Sequence, residues 1–68
     1  MELSARNQLR GRVTAVTRGT VMAEVSIEIG GGQTIVSTIS VASVDRLKLK
    51  AGDEVTAVIK ATEVIIGK

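Results

Sequence analysis

The sequence contains no cysteine, no histidine, no proline and no aromatic residue. Without cysteine and histidine it lacks the soft and imidazole ligands of transition metals, and a nucleophilic serine lacks its usual base. The two close carboxylate pairs, Glu24 with Glu28 and Asp53 with Glu54, are typical of solvated surface charge rather than of acid–base catalysis. We therefore expect that the protein is not an enzyme and holds neither a metal ion nor a cofactor.

The bulk that aromatic residues supply to a core is also missing. The chain has 68 residues, of which 44% are hydrophobic, and these are mostly Val, Ile, Leu and Ala. One domain over residues 1–68 is expected, and a domain of this size buries only about 60% of its unfolded surface. Because no disulfide or metal reinforces it, we expect a homo-oligomer; a monomer with a small aliphatic core is the alternative.

The chain also has little net charge. Nine basic and seven acidic residues leave a formal net charge of +2, too little for a general nucleic-acid or membrane footprint. No apolar run approaches the roughly 18 residues of a membrane span. The start Met1-Glu2-Leu3-Ser4 has neither the basic nor the apolar part of a signal peptide. A cytoplasmic location without membrane contact is expected.

Polar and apolar residues alternate along most of the chain, which is typical of half-buried β-strands. Gly30-Gly31-Gly32 predicts a hairpin turn, with a phosphate-cradling loop as the less favoured alternative. Residues 41–47 break the alternation and predict a short helical turn with Val44 and Leu47 on its buried side. Five strands are predicted, at Leu9–Thr17, Val21–Ile29, Gln33–Ser40, Glu54–Lys60 and Glu63–Ile66.

This order of elements predicts an all-β fold, a small five-stranded OB-like Greek-key barrel with one short helical turn between strands 3 and 4. Such barrels usually bind single-stranded nucleic acid by stacking bases on aromatic side chains over a basic groove. The chain has no aromatic side chain, although Arg6, Arg10, Arg12 and Arg18 offer a basic stripe. A charged strand edge is the structural alternative for these arginines, and a nucleic-acid partner is not expected.

Donors suited to an oxyanion occur at three separated places. Ser4 and Arg6 lie near the N-terminus, Ser40 and Ser43 flank the start of the helical turn, and Lys60 ends the predicted fourth strand. A tetrahedral dianion needs several such donors together, helped by free amides and without a carboxylate nearby. The sequence does not show that the three places meet. Singly, each residue has a structural interpretation, as a helix N-cap or a surface cation.

The opening of the chain resembles a family signature. It reads Ser4-Ala5-Arg6-Asn7-Gln8-Leu9-Arg10-Gly11-Arg12-Val13 and is similar to the Ser-Ala-Arg-Asn-Gln-x-x-Gly-x-Val opening of the molbindins. These are the small Mop proteins, with a TOBE-type domain, that bind molybdate or tungstate. The similarity continues through Gly52-Asp53-Glu54-Val55 and the segment around Lys60, and it covers essentially the whole chain.

The resemblance implies the same barrel, assembled as a hexamer that is a trimer of dimers, with the oxyanion held between subunits by hydrogen bonds and not by metal–ligand bonds to protein. The family often has Thr where Ser40 stands, which still supplies a hydroxyl. A second anion site near the threefold axis is assigned loosely to Asn7. The positions that match the family's molybdate-binding residues are Ser4, Ala5, Arg6, Ser40, Ser43, Lys60 and Ala61.

The function implied is intracellular storage and homeostasis of molybdate, or of tungstate, by an oligomer. Two alternatives remain open at this point. One is an anion-sensing regulatory module that acts on a partner protein. The other, less favoured, is an OB-type nucleic-acid binder.

Overall fold

A computed structural model describes residues 1–68. The first four predicted strands and the helical turn are confirmed, with differences of at most two residues at their ends. In chain order the elements are β1 (Asn7–Arg18), β2 (Met22–Gly30), β3 (Gln33–Ser40), the helix α1 (Val41–Leu47), β4 (Glu54–Ile59) and a 3₁₀ turn (Ala61–Glu63).

The glycine triplet forms the tight hairpin between β2 and β3. Gly30 pairs with Gln33, so Gly31 and Gly32 are a two-residue loop, and both have positive φ, at 62° and 76°. Positive φ at both loop positions is the geometry of a type I′ turn, which glycine adopts without steric penalty. The predicted hairpin is therefore confirmed.

The four strands form one antiparallel sheet in the order β3-β2-β1-β4. β4 returns past α1 to lie beside β1, which makes the connection a Greek key. In this order β1 pairs with β4 from Asn7 to Arg12 and with β2 from Arg12 to Arg18, so Arg12 is the arginine with a paired neighbour on both sides. The interpretation as a charged strand edge is therefore wrong for Arg12 and stays a prediction for Arg6, Arg10 and Arg18.

The core is small because the sheet has few inward positions and no aromatic side chain to fill them. Alternate residues of β2 point inward, as predicted from the sequence, while α1 contributes one side chain and β1 another. Only 5 of 68 residues are buried, which leaves much of the aliphatic surface uncovered in a single chain. The five are Val13, Ala23, Val25, Ile27 and Val44.

The predicted fifth strand, Glu63–Ile66, is wrong: the fold is all-β with four strands. The segment starts in the 3₁₀ turn and continues extended at Val64, but it pairs with no strand of this chain. A strand requires a neighbour for its backbone N–H and C=O groups. Ile65 and Ile66 are instead 93% and 84% exposed.

The barrel consequently stays open between its two edge strands. β3 and β4 are not hydrogen-bonded to each other. Residues from both strands line an apolar groove with a volume of about 300 Å³. The groove and the exposed C-terminal segment 64–66 are two apolar surfaces that the chain does not cover itself.

The predicted inward position of Leu47 is also wrong, since this side chain is 60% exposed. α1 ends there because Lys48 adopts a left-handed conformation with φ 53° and reverses the chain. The backbone N–H of Leu49 then donates to the carbonyl oxygen of Val44 at 3.0 Å. Leu49 thereby packs against the core in place of Leu47.

Gly11 is the position of closest approach between β1 and β2. A Cβ atom there would lie 2.6 Å from the carbonyl oxygen of Glu28 and 2.6 Å from Cγ2 of Ile27. The strands can accept it only by separating, because one of the two contacts is backbone. We expect Gly11→Ala to lower the free energy of unfolding by about 2–3 kcal/mol in urea titrations. Gly67→Ala, which meets open space, is the control; equal unfolding midpoints for the two variants would contradict this account.

The turn before β4 is fixed to the core strand β1. The Gly52 N–H donates to the Val13 carbonyl at 2.8 Å, and the Val13 N–H donates to the Asp53 carbonyl at 2.9 Å. The Asp53 carboxylate accepts from the Lys50 ammonium and from the Lys50 backbone N–H, each at 3.0 Å. These bonds, the side-chain one first, lower the pKa of Asp53 from its ordinary value of 3.8.

A lowered carboxyl pKa makes stability depend on pH in one direction. The contribution of Asp53 is fully present above the unfolded-state pKa of about 3.9 and is lost as pH falls through the folded-state pKa. We expect Asp53→Asn to unfold at lower urea than the unmodified chain at pH 7, with the difference shrinking towards pH 2. A difference between the two midpoints that stays constant from pH 7 to pH 2 would show that the ionised carboxylate is not what holds the turn.

Candidate functional site

The start of β1 and the end of β4 lie side by side. The two strands are antiparallel, and the pair Asn7↔Ile59 ends their ladder. Arg6 immediately precedes β1 and Lys60 immediately follows β4, so both lie at this end of the ladder, because residues across an antiparallel pair follow one another in opposite directions. Two of the three places that the sequence predicts, the opening motif and Lys60, are therefore brought together at one end of the sheet.

One contact within the opening motif was not predicted from the sequence. The Gln8 carboxamide Nε2 donates to the Ala5 carbonyl at 2.8 Å, which fixes the backbone immediately before Arg6. A side chain that donates to a backbone carbonyl a few residues earlier is a common local arrangement. The spacing of three residues between Ala5 and Gln8 was the available signal. Gln8 thus holds the predicted binding segment in place.

The cations of the chain differ in whether a carboxylate neutralises them. Arg10 and Arg12 lie 3.3 and 4.0 Å from the two carboxylate oxygens of Glu54. Arg18 and Lys50 are also paired, with carboxylates on α1 and in the turn before β4. The predicted basic stripe is therefore largely compensated.

Arg6 and Lys60 are different, since neither has a carboxylate within 4.0 Å. Both side chains belong to exposed residues. Two uncompensated positive charges at the same end of the sheet are the electrostatic complement of a dianion, because a carboxylate in the same place would repel it. This pair is the strongest chemical feature at that end of the sheet.

Ser40 and Ser43 form a helix cap, as one of the two sequence interpretations predicts. Ser40 is the N-cap of α1, and its Oγ accepts from the Ser43 backbone N–H at 3.0 Å. The Ser40 hydroxyl also donates to Ser43 Oγ at 2.9 Å. The first backbone N–H of α1, on Val41, is bonded to Val21 at 2.8 Å, so two of the amides expected to face an anion are occupied. The Ser40 proton is directed to Ser43, so the Ser43 hydroxyl is the side-chain donor of this pair that remains free.

A further cation reaches this serine pair. Arg46, three residues after Ser43 on α1, places Nη2 3.5 Å from Ser43 Oγ. Sequence reasoning did not select Arg46, although residues three apart on a helix lie on the same face.

The serine pair lies at the other end of the sheet from Arg6 and Lys60. Ser40 pairs with Met22 at the start of β2, and the neighbouring residue of β2 pairs with Arg18, the last residue of β1. The 12 residues of β1 therefore separate the two groups. Within one chain the structure brings together two of the three predicted places and keeps the third apart.

Asn7 is half-buried at the first position of β1, opposite Ile59. No side-chain hydrogen bond engages its carboxamide within the chain. The assignment of a second anion site to this residue stays a prediction.

The most voluminous cleft does not coincide with any of these donors. It measures about 460 Å³ and lies over the middle of β1, where Glu28 and Glu54 form part of its wall beside Arg10 and Arg12. Carboxylates in the wall disfavour an oxyanion, so the candidate site is at the sheet ends.

No helix of the chain has both the length and the apolar character needed to cross a bilayer.

Comparisons with known proteins point to one group. The family model described as the TOBE domain matches residues 3–66. Molybdenum-pterin-binding protein 3 of Clostridium pasteurianum is 54% identical over 66 residues, covering 97% of each chain. A molybdate-binding protein from Sporomusa ovata superposes with a TM-score of 0.93 at 41% identity, over 100% of both chains.

A third similar protein is ModG, described as a cytoplasmic molybdate-binding protein and solved with molybdate bound. It superposes with a TM-score of 0.85 at 46% identity, over 90% of this chain and 43% of ModG. The proteins that share this fold and sequence are thus described by the binding of molybdenum compounds.

Proposed function

The chain belongs to the TOBE domain family, and from this premise we propose that it binds molybdate reversibly, for storage in the cell, at sites that two copies of the chain build together. The observation that carries the proposal is the pair Arg6 and Lys60. They flank the same end of the β1–β4 ladder, Arg6 just before β1 and Lys60 just after β4, and no carboxylate lies within 4.0 Å of either. Molybdate carries two negative charges, which these two cations offset.

The anion is held by hydrogen bonds from the protein to its oxygens. Molybdate oxygens only accept hydrogen bonds, so the site needs donors: the Arg6 guanidinium, the Lys60 ammonium and hydroxyl groups. Ser4, with the backbone at Ala5 and Ala61, supplies the remaining contacts at this end of the sheet. The protein stores the anion and does not transform it. Tungstate has the same charge and shape and is expected to bind similarly.

The second half of the site comes from a neighbouring copy. Ser40 and Ser43 are the matching hydroxyl residues, with Ser43 as the free donor, yet β1 separates them from Arg6 within one chain. A second copy that presents its serine pair to the first copy's cations completes a shell of donors. Selectivity over the smaller sulfate ion then follows from how far apart the assembly holds the two halves.

The exposed surface of the chain favours such an assembly. A folded monomer of 7.1 kDa exposes about 4,100 Å², whereas this chain exposes 5359 Å². The excess is rich in aliphatic side chains, including Val36, Leu47, Ile65 and Ile66. Exposed apolar surface on this scale is typical of protein interfaces. We propose that copies of the chain cover it in a homo-oligomer, a hexamer arranged as a trimer of dimers.

The location follows from the function. ModG is described as cytoplasmic, and a store for molybdate serves the cell where the anion is used. We place this protein in the cytoplasm as well.

Native mass spectrometry with and without molybdate tests the proposal. The expected result is a hexamer that gains several molybdate masses and exchanges them for tungstate, with sulfate competing weakly. A monomer that takes up no molybdate would refute the proposed function. A species that shifts in mass only with a single-stranded oligonucleotide would support the nucleic-acid alternative instead.

A further inference from the structure

Arg46 is a cation with no assigned role. It lies on α1, and its Nη2 is 3.5 Å from Ser43 Oγ. No carboxylate lies within 4.0 Å of it, and the acid next to it in sequence, Asp45, is held by Arg18 at 2.8 Å. A guanidinium carries five N–H groups, so most of its donors and its whole charge are available at the serine pair.

The hydrogen bonds around the two serines give Arg46 a specific effect. Ser40 Oγ accepts from the Ser43 backbone N–H and donates to Ser43 Oγ at 2.9 Å. Ser43 Oγ therefore accepts from Ser40 and from Arg46 together. A hydroxyl oxygen has two lone pairs and one proton. With both lone pairs engaged, the Ser43 proton is left to be donated outward.

This direction matters for an oxyanion. An anion with no proton cannot use a hydroxyl that presents a lone pair to it, and it is stabilised by one that presents a proton. We infer that Arg46 is a positioning residue of the oxyanion site, which orients the Ser43 hydroxyl as a donor. The inference rests on the proposed function and deepens it.

Calorimetric titration of the oligomer with sodium molybdate tests this role through a double-mutant cycle. Arg46→Gln, which keeps good helix propensity, is expected to weaken binding about five- to tenfold. Ser43→Ala is expected to weaken it by at least as much. If Arg46 acts through Ser43, adding Arg46→Gln to the Ser43→Ala variant weakens binding by less than twofold, because the oriented hydroxyl is already absent.

Lys48→Gln is the matched control. It removes the same charge from the end of the same helix, at a residue with no side-chain bond to the serine pair, and should leave the affinity within twofold. Arg46→Lys restores the charge and is expected to recover part of the loss. Thermal unfolding midpoints of all variants within a few degrees of the parent show that folding is not the cause.

The outcomes separate this inference from the function on which it rests. Unchanged affinity in Arg46→Gln, equal losses in Arg46→Gln and Lys48→Gln, or full additivity with Ser43→Ala would overturn the positioning role while molybdate binding stands. Failure of the parent protein to bind molybdate would instead remove the proposed function itself.

Discussion

Replacing Arg6 by alanine is expected to weaken molybdate binding by about ten- to a hundredfold, and Lys60→Ala by a similar factor. Each substitution removes one of the two cations at this end of the sheet that no carboxylate compensates. A hydrogen bond to a charged group contributes about 1.5–3 kcal/mol, which sets the size of the effect. Isothermal titration of each variant with molybdate measures it.

The control for this experiment is an arginine on the same strand. Arg10→Ala removes an equal charge, but Arg10 is already paired with Glu54 at 3.3 Å. Its effect on the dissociation constant should stay within about threefold, since exposed ion pairs contribute about 0–1 kcal/mol. Parent-like affinity in both Arg6→Ala and Lys60→Ala would place the anion elsewhere on the molecule.

The second large effect is expected at the C-terminal segment. Replacing Ile65 and Ile66 by aspartate should break the assembly into monomers, as measured by native mass spectrometry or by light scattering after size exclusion. These side chains are 93% and 84% exposed in the single chain. Covering each in an interface contributes about 1.5–3 kcal/mol, and a buried carboxylate without a partner costs several kcal/mol more.

Binding provides the second readout of the same variant. If two chains build each site, the monomeric double variant should also lose molybdate affinity, although its cations and serines are untouched. Gly67→Asp adds a carboxylate beside the segment without removing apolar surface and should remain assembled. Retention of the full oligomer mass by the double variant would show that this segment lies outside the interface. A monomer with parent affinity would show that one chain completes the site alone.

Local features of the fold were predictable because the residues that cause them are adjacent in sequence. Alternation along β2 identified Ala23, Val25 and Ile27 as inward-facing, and the glycine triplet identified its hairpin. Ser40 reads as a helix cap because capping depends on residues three positions apart. The prediction of a fifth strand was wrong because strand pairing depends on residues that are distant in sequence. An apolar run at residues 63–66 indicates a segment suited to burial, but it does not identify what the segment packs against.

The same distinction between local and distant causes applies to the candidate site. The sequence identified Ser4, Arg6, Ser40, Ser43 and Lys60 as donors, partly on their chemistry and partly on a family resemblance. The juxtaposition of Arg6 and Lys60 depends on the pairing of β1 with β4, which no spacing in the sequence encodes. Pairing between distant charges, such as that between Arg10 and Glu54, was invisible for the same reason. The three arginines of β1 each have a carboxylate within 4.0 Å, whereas Arg6, just before β1, has none.

The placement of the two donor groups at opposite ends of β1 has a consequence for stoichiometry. If two chains build each site, as proposed, each chain contributes one half-site of each kind. A closed assembly of n chains then makes n complete sites, whereas an open chain of n copies leaves one half unmatched at each end. Closed point-group symmetry is the usual outcome for soluble homo-oligomers. Counting anions of this class per chain therefore reports on ring closure: a ratio of one is the signature of an assembly without ends.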